Sequence, residues 1–190
     1  MDKIDEGFIK RYNFLIKVLE GVGNVKEKIC TYPPDLHCVA YLVASDLKKS
    51  GFDADFDFGL MYGWGAPFSE TIENLLGLLA FDDICALVPE ASSWMVYPNK
   101  PQVFPPTEYR KLERWKAKFS LMKDDALGKR GVKDMIRLAA DYAKLDERAL
   151  YETARQRWYE EHPGSREEAE KSFVSLDKIQ SAELVGLFKT

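Results

Sequence analysis

The hydrophobic period of this chain changes twice, and that change restricts the fold more than any other feature. Up to residue 47, apolar residues recur at three- and four-residue spacing, the pattern of helices with one buried face. Then Phe52-Asp53-Ala54-Asp55-Phe56-Asp57-Phe58 alternates strictly between apolar and acidic. Alternation of that kind marks a strand with one wet face. After residue 107 the helical period returns. The pattern excludes an all-helical bundle and an all-β sandwich, and predicts an α+β fold that is mainly α.

In the first stretch, Ile4, Phe8, Ile9, Tyr12, Leu15, Ile16 and Leu19 share one face, with Lys10, Arg11 and Lys17 between them. Gly21 and Gly23 are expected to stop this helix. Pro33-Pro34-Asp35 opens a second helix, whose stripe is Leu36, Val39, Ala40, Val43 and Leu47, with Gly51 closing it. The alternating segment 52–58 is expected to pair with a later hairpin. Tyr62-Gly63-Trp64-Gly65-Ala66-Pro67 reads as a turn. Ser69 is an N-cap candidate for a third helix buried through Ile72, Leu75, Leu76 and Leu79, and Asp82-Asp83 ends it. Residues 84–88 and 94–97 then read as two strands of a hairpin.

Four prolines within residues 98–106 rule out helix or central strand there, so this stretch is the natural linker. It divides the chain into a domain over 1–99 and a helical part over 107–190. In the latter, Thr107 to Lys123, Val132 to Leu145 and Asp146 to Glu161 carry helical stripes, and Ser165-Arg166-Glu167-Glu168 is a capping box for a last helix.

The net charge of -4 is unevenly spread. Counting Lys and Arg against Asp and Glu, residues 1–100 carry -6, residues 101–140 carry +5, and residues 141–190 carry -3. A local cationic excess of that size is the electrostatic footprint of a polyanion, or of an acidic partner surface within the same chain. No apolar run reaches the roughly 20 residues of a bilayer span. The charged start, Met1 to Glu6, lacks the apolar region of a signal peptide. Cys30, Cys38 and Cys85 are odd in number and form no CxxC pair, as in a reducing compartment. A cytoplasmic protein without a membrane segment is the expectation.

The order helix, helix, strand, helix, two-stranded hairpin is that of a winged helix-turn-helix. Within it, Tyr62-Gly63-Trp64-Gly65-Ala66-Pro67-Phe68-Ser69-Glu70-Thr71-Ile72-Glu73-Asn74-Leu75 resembles the Tyr-Gly-Pro-[Phe/Tyr]-Ser-x-x-[Leu/Ile]-x-x-x-Leu segment of YwgA-like and Panacea-type proteins. Leu78 to Ile84 sits where that family enters its wing. The resemblance covers residues 8–97. This chain departs from it by the insertion Trp64-Gly65-Ala66 and by lacking a Lys-rich second helix. What the resemblance implies is a winged-helix-like domain in which that motif leads into the third helix. It also imports two roles, DNA binding and the neutralising of toxins through protein contacts.

Few residues carry chemistry. An EF-hand begun at Asp53 would need Gly at its sixth position and Glu at its twelfth, and those are Phe58 and Trp64. Asp53, Asp55 and Asp57 still share one strand face, which keeps a small metal-dependent enzyme as a further alternative. His37-Cys38 and His162 show no zinc-ligand spacing, and adjacent helical side chains diverge by about 100°. His162 reads as a partner for a helix carboxyl end. No phosphate-binding loop or nucleophile motif occurs, and no cofactor is expected. Two surfaces remain. Arg110, Lys111, Arg114 and Lys118, followed by Lys129, Arg130 and Lys133, form a cationic stripe for nucleic-acid phosphates. The third helix instead shows Glu70, Glu73 and Asn74 and no Lys or Arg, unlike a helix that reads the major groove. With Trp64 and Phe68 beside it, that face suits a protein partner. The expectation is therefore a regulatory or adaptor protein that binds another protein or a second copy of itself, antitoxin-like in the sense of the resemblance, with a DNA-binding regulator as the alternative.

Overall fold

The computed structural model describes residues 6–32, 34–61, 64–82, 84–90, 93–98, 100 and 129–166. They form an α+β fold that is mainly α: α1 Glu6–Gly23, β1 Ile29–Tyr32, α2 Asp35–Lys48, β2 Gly59–Met61, β3 Ala66–Phe68, α3 Glu70–Phe81, β4 Ala86–Glu90, β5 Ser93–Tyr97, α4 Lys129–Ala143 and α5 Glu147–Glu161. The expected linker lies largely outside the described residues, as do the Thr107–Lys123 helix and all but the first two residues of the capping box.

The stripes of α2 and α3 are buried where the spacing places them, whereas in α1 Phe14, Val18 and Val22, off the expected stripe, are fully buried and Ile9 and Ile16 are half-buried. Leu36, Val39, Ala40 and Val43 of α2 are solvent-free, as are Ile72, Leu76 and Leu79 of α3. Burying each such Val, Leu or Ile side chain contributes about 1.5–3 kcal/mol. Ser69 caps α3, accepting from the Ile72 backbone N–H at 3.3 Å. Asp146 caps α5, accepting from the Ala149 N–H at 2.8 Å. Gly51 takes the positive φ of 86° expected after α2. Gly21, expected to stop the first helix, lies buried inside it. Its missing Cβ is what lets α4 pass close by: a Cβ there would lie 2.7 Å from that of Ala139 and run into the Ile136 carbonyl oxygen. Met135, Ala139 and Ala143 of α4, and Leu150, Ala154 and Trp158 of α5, belong to the same core cluster as α1, α2 and α3.

The strands depart from the expectation. Segment 52–58 joins no ladder, and the hairpin β4–β5 takes β1 as its third strand, in the order β1-β5-β4. Ile29 faces Val96 and Cys30 faces Met95, with a bulge before Tyr32 and Trp94. The alternation in 52–58 is nonetheless a real burial pattern: Ala54 is buried, the three phenylalanines are half-buried, and the three aspartates are exposed. Asp55 has φ of 55°, which no strand accommodates, and its N–H donates to the Asp53 carboxylate at 2.9 Å. Side-chain period reports two environments, and this extended segment has them without ladder bonds. Its rings pack on α1 and α2, Phe56 lying 5.3 Å from Phe14 and Phe58 5.3 Å from Tyr41. The stretch read as a turn also contains a strand, since Ala66–Phe68 pairs with Gly59–Met61 in a second hairpin.

Among the described residues no helix is long and apolar enough to cross a membrane. Cys30, Cys38 and Cys85 are buried free thiols.

Candidate functional site

The second hairpin and the amino end of α3 meet at a cleft of about 260 Å³. Its apolar floor is Leu60, Met61 and Phe68, and its acidic rim is Asp57 and Glu70. A chain of hydrogen bonds, running from the solvent-free His37 to the exposed Asp57, holds this corner. The Ser69 backbone N–H donates to His37 Nδ1 at 3.2 Å. Because Nδ1 is thereby an acceptor, the ring proton sits on Nε2, which donates to Glu73 Oε1 at 2.7 Å. His37 itself is solvent-free and stacks on Phe68 with ring centroids 4.3 Å apart. The Ser69 hydroxyl donates to Asp57, whose carboxylate also accepts from the Thr71 N–H at 3.4 Å. Burial acts to raise the Asp57 carboxyl, but the Ser69 and Thr71 hydrogen bonds outweigh it and hold it below the usual range. The orientation of the Phe68 ring and the start of α3 are thus set by residues of α2 and the 52–58 segment.

Of the residues singled out for a protein partner, Phe68 and Glu70 line this cleft. Asn74 is exposed on α3. Trp64 is 37% exposed, but its ring packs against Tyr151 of α5 at a centroid distance of 6.5 Å. Glu73, expected to face solvent, is half-buried and spent on His37. The residues that sequence reasoning missed are Leu60, Met61 and His37. Their signal was weak: Leu60-Met61 looks like a strand edge, and a lone histidine in an apolar helix reads as core. Cys38 is equally buried, and its thiol is pushed up by burial.

The three aspartates do not converge. Asp53 holds the Asp55 N–H, Asp55 pairs with Arg11 at 3.2 Å, and Asp57 is bound to Ser69 and Thr71. Among the described residues no three His, Cys, Asp or Glu side chains are grouped so as to hold a metal ion. His162 closes the carboxyl end of α5, its Nδ1 lying 3.1 Å from the Trp158 carbonyl oxygen.

Of the cationic stripe, Lys133 is exposed on α4. Arg110, Lys111, Arg114 and Lys118 lie outside the described residues, as do the side chains of Lys129 and Arg130. No family model, no curated protein and no solved structure matches the chain.

Proposed function

We propose that this is a non-enzymatic regulatory or adaptor protein whose winged-helix-like part binds another protein through the cleft at the start of α3. The observation that carries the reading is the cleft's composition: an apolar floor rimmed by Asp57 and Glu70, with no Lys or Arg among the described residues of its lining. Phosphates would be repelled from such a rim, whereas a protein partner presenting Lys or Arg beside an apolar side chain would be matched in charge and in surface. The winged-helix part of the reading draws support from α3 leading directly into an antiparallel hairpin, whose second strand is joined by β1. It meets one departure, since the β2–β3 hairpin stands between α2 and α3 where a helix-turn-helix has a turn of three or four residues.

The test places a photo-crosslinking phenylalanine analogue at Met61, and separately at Lys144, an exposed control on the far side of α4's last turn in sequence. Irradiated in the native cell, the Met61 protein should yield a discrete protein adduct that disappears with Glu70→Arg. Equal adducts at both positions, or none at Met61, would reject the reading. The second reading, a DNA-binding regulator, rests on the +5 of residues 101–140. A salt-sensitive duplex shift lost on reversing Arg110, Arg114 and Lys118 together would favour it instead.

A further inference from the structure

A second cavity, sharing none of its described lining residues with the cleft, lies between the carboxyl ends of α2 and α5 and the 52–58 segment. Its volume is about 130 Å³, close to the roughly 150 Å³ that accepts one benzene-sized guest. Five aromatic rings line it: Tyr41, Phe56, Phe58, Trp158 and His162, the last stacked on Trp158 with ring centroids 4.0 Å apart. Tyr41 lies 5.6 Å from Trp158 and 5.3 Å from Phe58, and Phe56 lies 5.6 Å from Phe58. Rings gathered at such spacing present several π faces and edges to one small space.

The polar groups of the cavity are mostly anionic. Glu161 is held in place by the Tyr41 hydroxyl, which donates to it at 2.9 Å, and by the Ser45 hydroxyl. Asp53 and Asp55 stand at the mouth, and among the described residues of the lining Lys48 is the only Lys or Arg, beside the imidazole of His162. Asp55 already has Arg11 as its partner, which leaves Asp53 and Glu161 without a cationic partner of their own among the described residues.

These features select a ligand class. An anion would be set against the carboxylates. A hard metal ion wants several converging oxygens, which are not grouped here. A neutral hydrocarbon would leave the carboxylates of Glu161 and Asp53 without a countercharge. We propose that the cavity binds a compact organic cation, an alkylammonium or guanidinium group, over the rings of Tyr41, Phe56, Phe58 and Trp158. Its charge is balanced by Glu161 and Asp53. Cation–π attraction of this kind is strongest where the ring faces are desolvated, as Tyr41 and Trp158 are here. A free amine and a basic residue of a peptide both carry this chemistry.

The full-length chain is titrated by calorimetry with tetramethylammonium, with choline, and with arginine blocked at both ends as a peptide unit. Sodium acetate at matched ionic strength is the control. All three cations should saturate at one site, and acetate should not bind. Tighter binding of choline assigns the site to a free amine, and tighter binding of blocked arginine assigns it to a peptide. Asp53→Asn, at an exposed position that leaves the fold intact, should weaken every cation about tenfold. Phe56→Leu removes one ring of the wall while keeping an apolar side chain, so it should weaken all three cations. The proposal is overturned if no cation saturates, if acetate binds as well, or if both variants bind all three cations like the wild type.

Discussion

Alanine in place of Gly21 tests whether α4 sits against α1 as described. Helix propensity alone favours the substitution by about 1 kcal/mol, since glycine is a poor helix former. Contact geometry opposes it. The new methyl would lie 2.7 Å from the Ala139 Cβ and 3.1 Å from the Ala140 nitrogen, and would overlap the Ile136 carbonyl oxygen. Carbon atoms rest at about 3.5–4.0 Å, so α4 would have to retreat by about 1 Å. That movement loosens Met135, Ala139 and Ala143, all solvent-free. Overpacking of this kind costs about 1–3 kcal/mol, enough to cancel the propensity gain and leave a net loss of about 1 kcal/mol. Gly77 supplies the control. It lies in α3, is exposed, and would meet nothing within 4 Å, so Gly77→Ala should gain about 0.5–1 kcal/mol. With a urea slope of about 2 kcal/mol/M, the two variants should unfold with midpoints about 1 M apart, on opposite sides of the wild type. If Gly21→Ala matches or exceeds Gly77→Ala in midpoint, the packing of α4 on α1 is wrong.

Three further outcomes follow from the corner at α3 and from the core. Glu73→Ala should destabilise by about 1–3 kcal/mol, because it strands the solvent-free His37 N–H, while Glu70→Ala should stay within about 0.5 kcal/mol; equal denaturation midpoints would refute the His37–Glu73 pairing. Ser69→Ala should cost about 1 kcal/mol at neutral pH through the lost cap. The part due to Asp57 has a definite sign. A carboxyl held below its ordinary value of about 4 stabilises the fold above that value, and the contribution is lost as pH falls through its folded value. The cost of Ser69→Ala, measured by denaturation across the acid range, should therefore shrink below pH ~4, and a constant cost would argue against the Ser69–Asp57 bond. Thiol reagent at mildly alkaline pH should label native protein slowly and denatured protein at three sites: all three cysteines are buried, and burial pushes the Cys85 thiol up to about 12. Rapid native labelling would mean that the core is open.

The helices and their caps were legible in the sequence because their determinants are local. The stripe Ile72, Leu75, Leu76, Leu79 turns one face inward whatever lies beneath it, and Ser69 needs only the three residues after it to cap a helix. The β4–β5 hairpin was legible for the same reason, with its partners adjacent in the chain. Segment 52–58 shows the limit. Its alternation determined which side chains face inward, but ladder bonds depend on a neighbouring strand, and that place beside the hairpin went to β1. Four residues, Ile29-Cys30-Thr31-Tyr32, are too few to show a period, so only their pairing with β5 marks them as a strand. The same division holds for the sites. Phe68 and Glu70 stood out beside α3, yet only the tertiary structure set Leu60 and Met61 against them and turned Glu73 onto His37, 36 positions away. Trp158 falls on the helical stripe of Asp146 to Glu161, while Tyr41 lies off the stripe expected for α2. That they wall a cavity with Glu161 was decided by how α2 and α5 cross, because a binding surface is assembled from contacts between elements, and no local rule of propensity or period encodes those contacts.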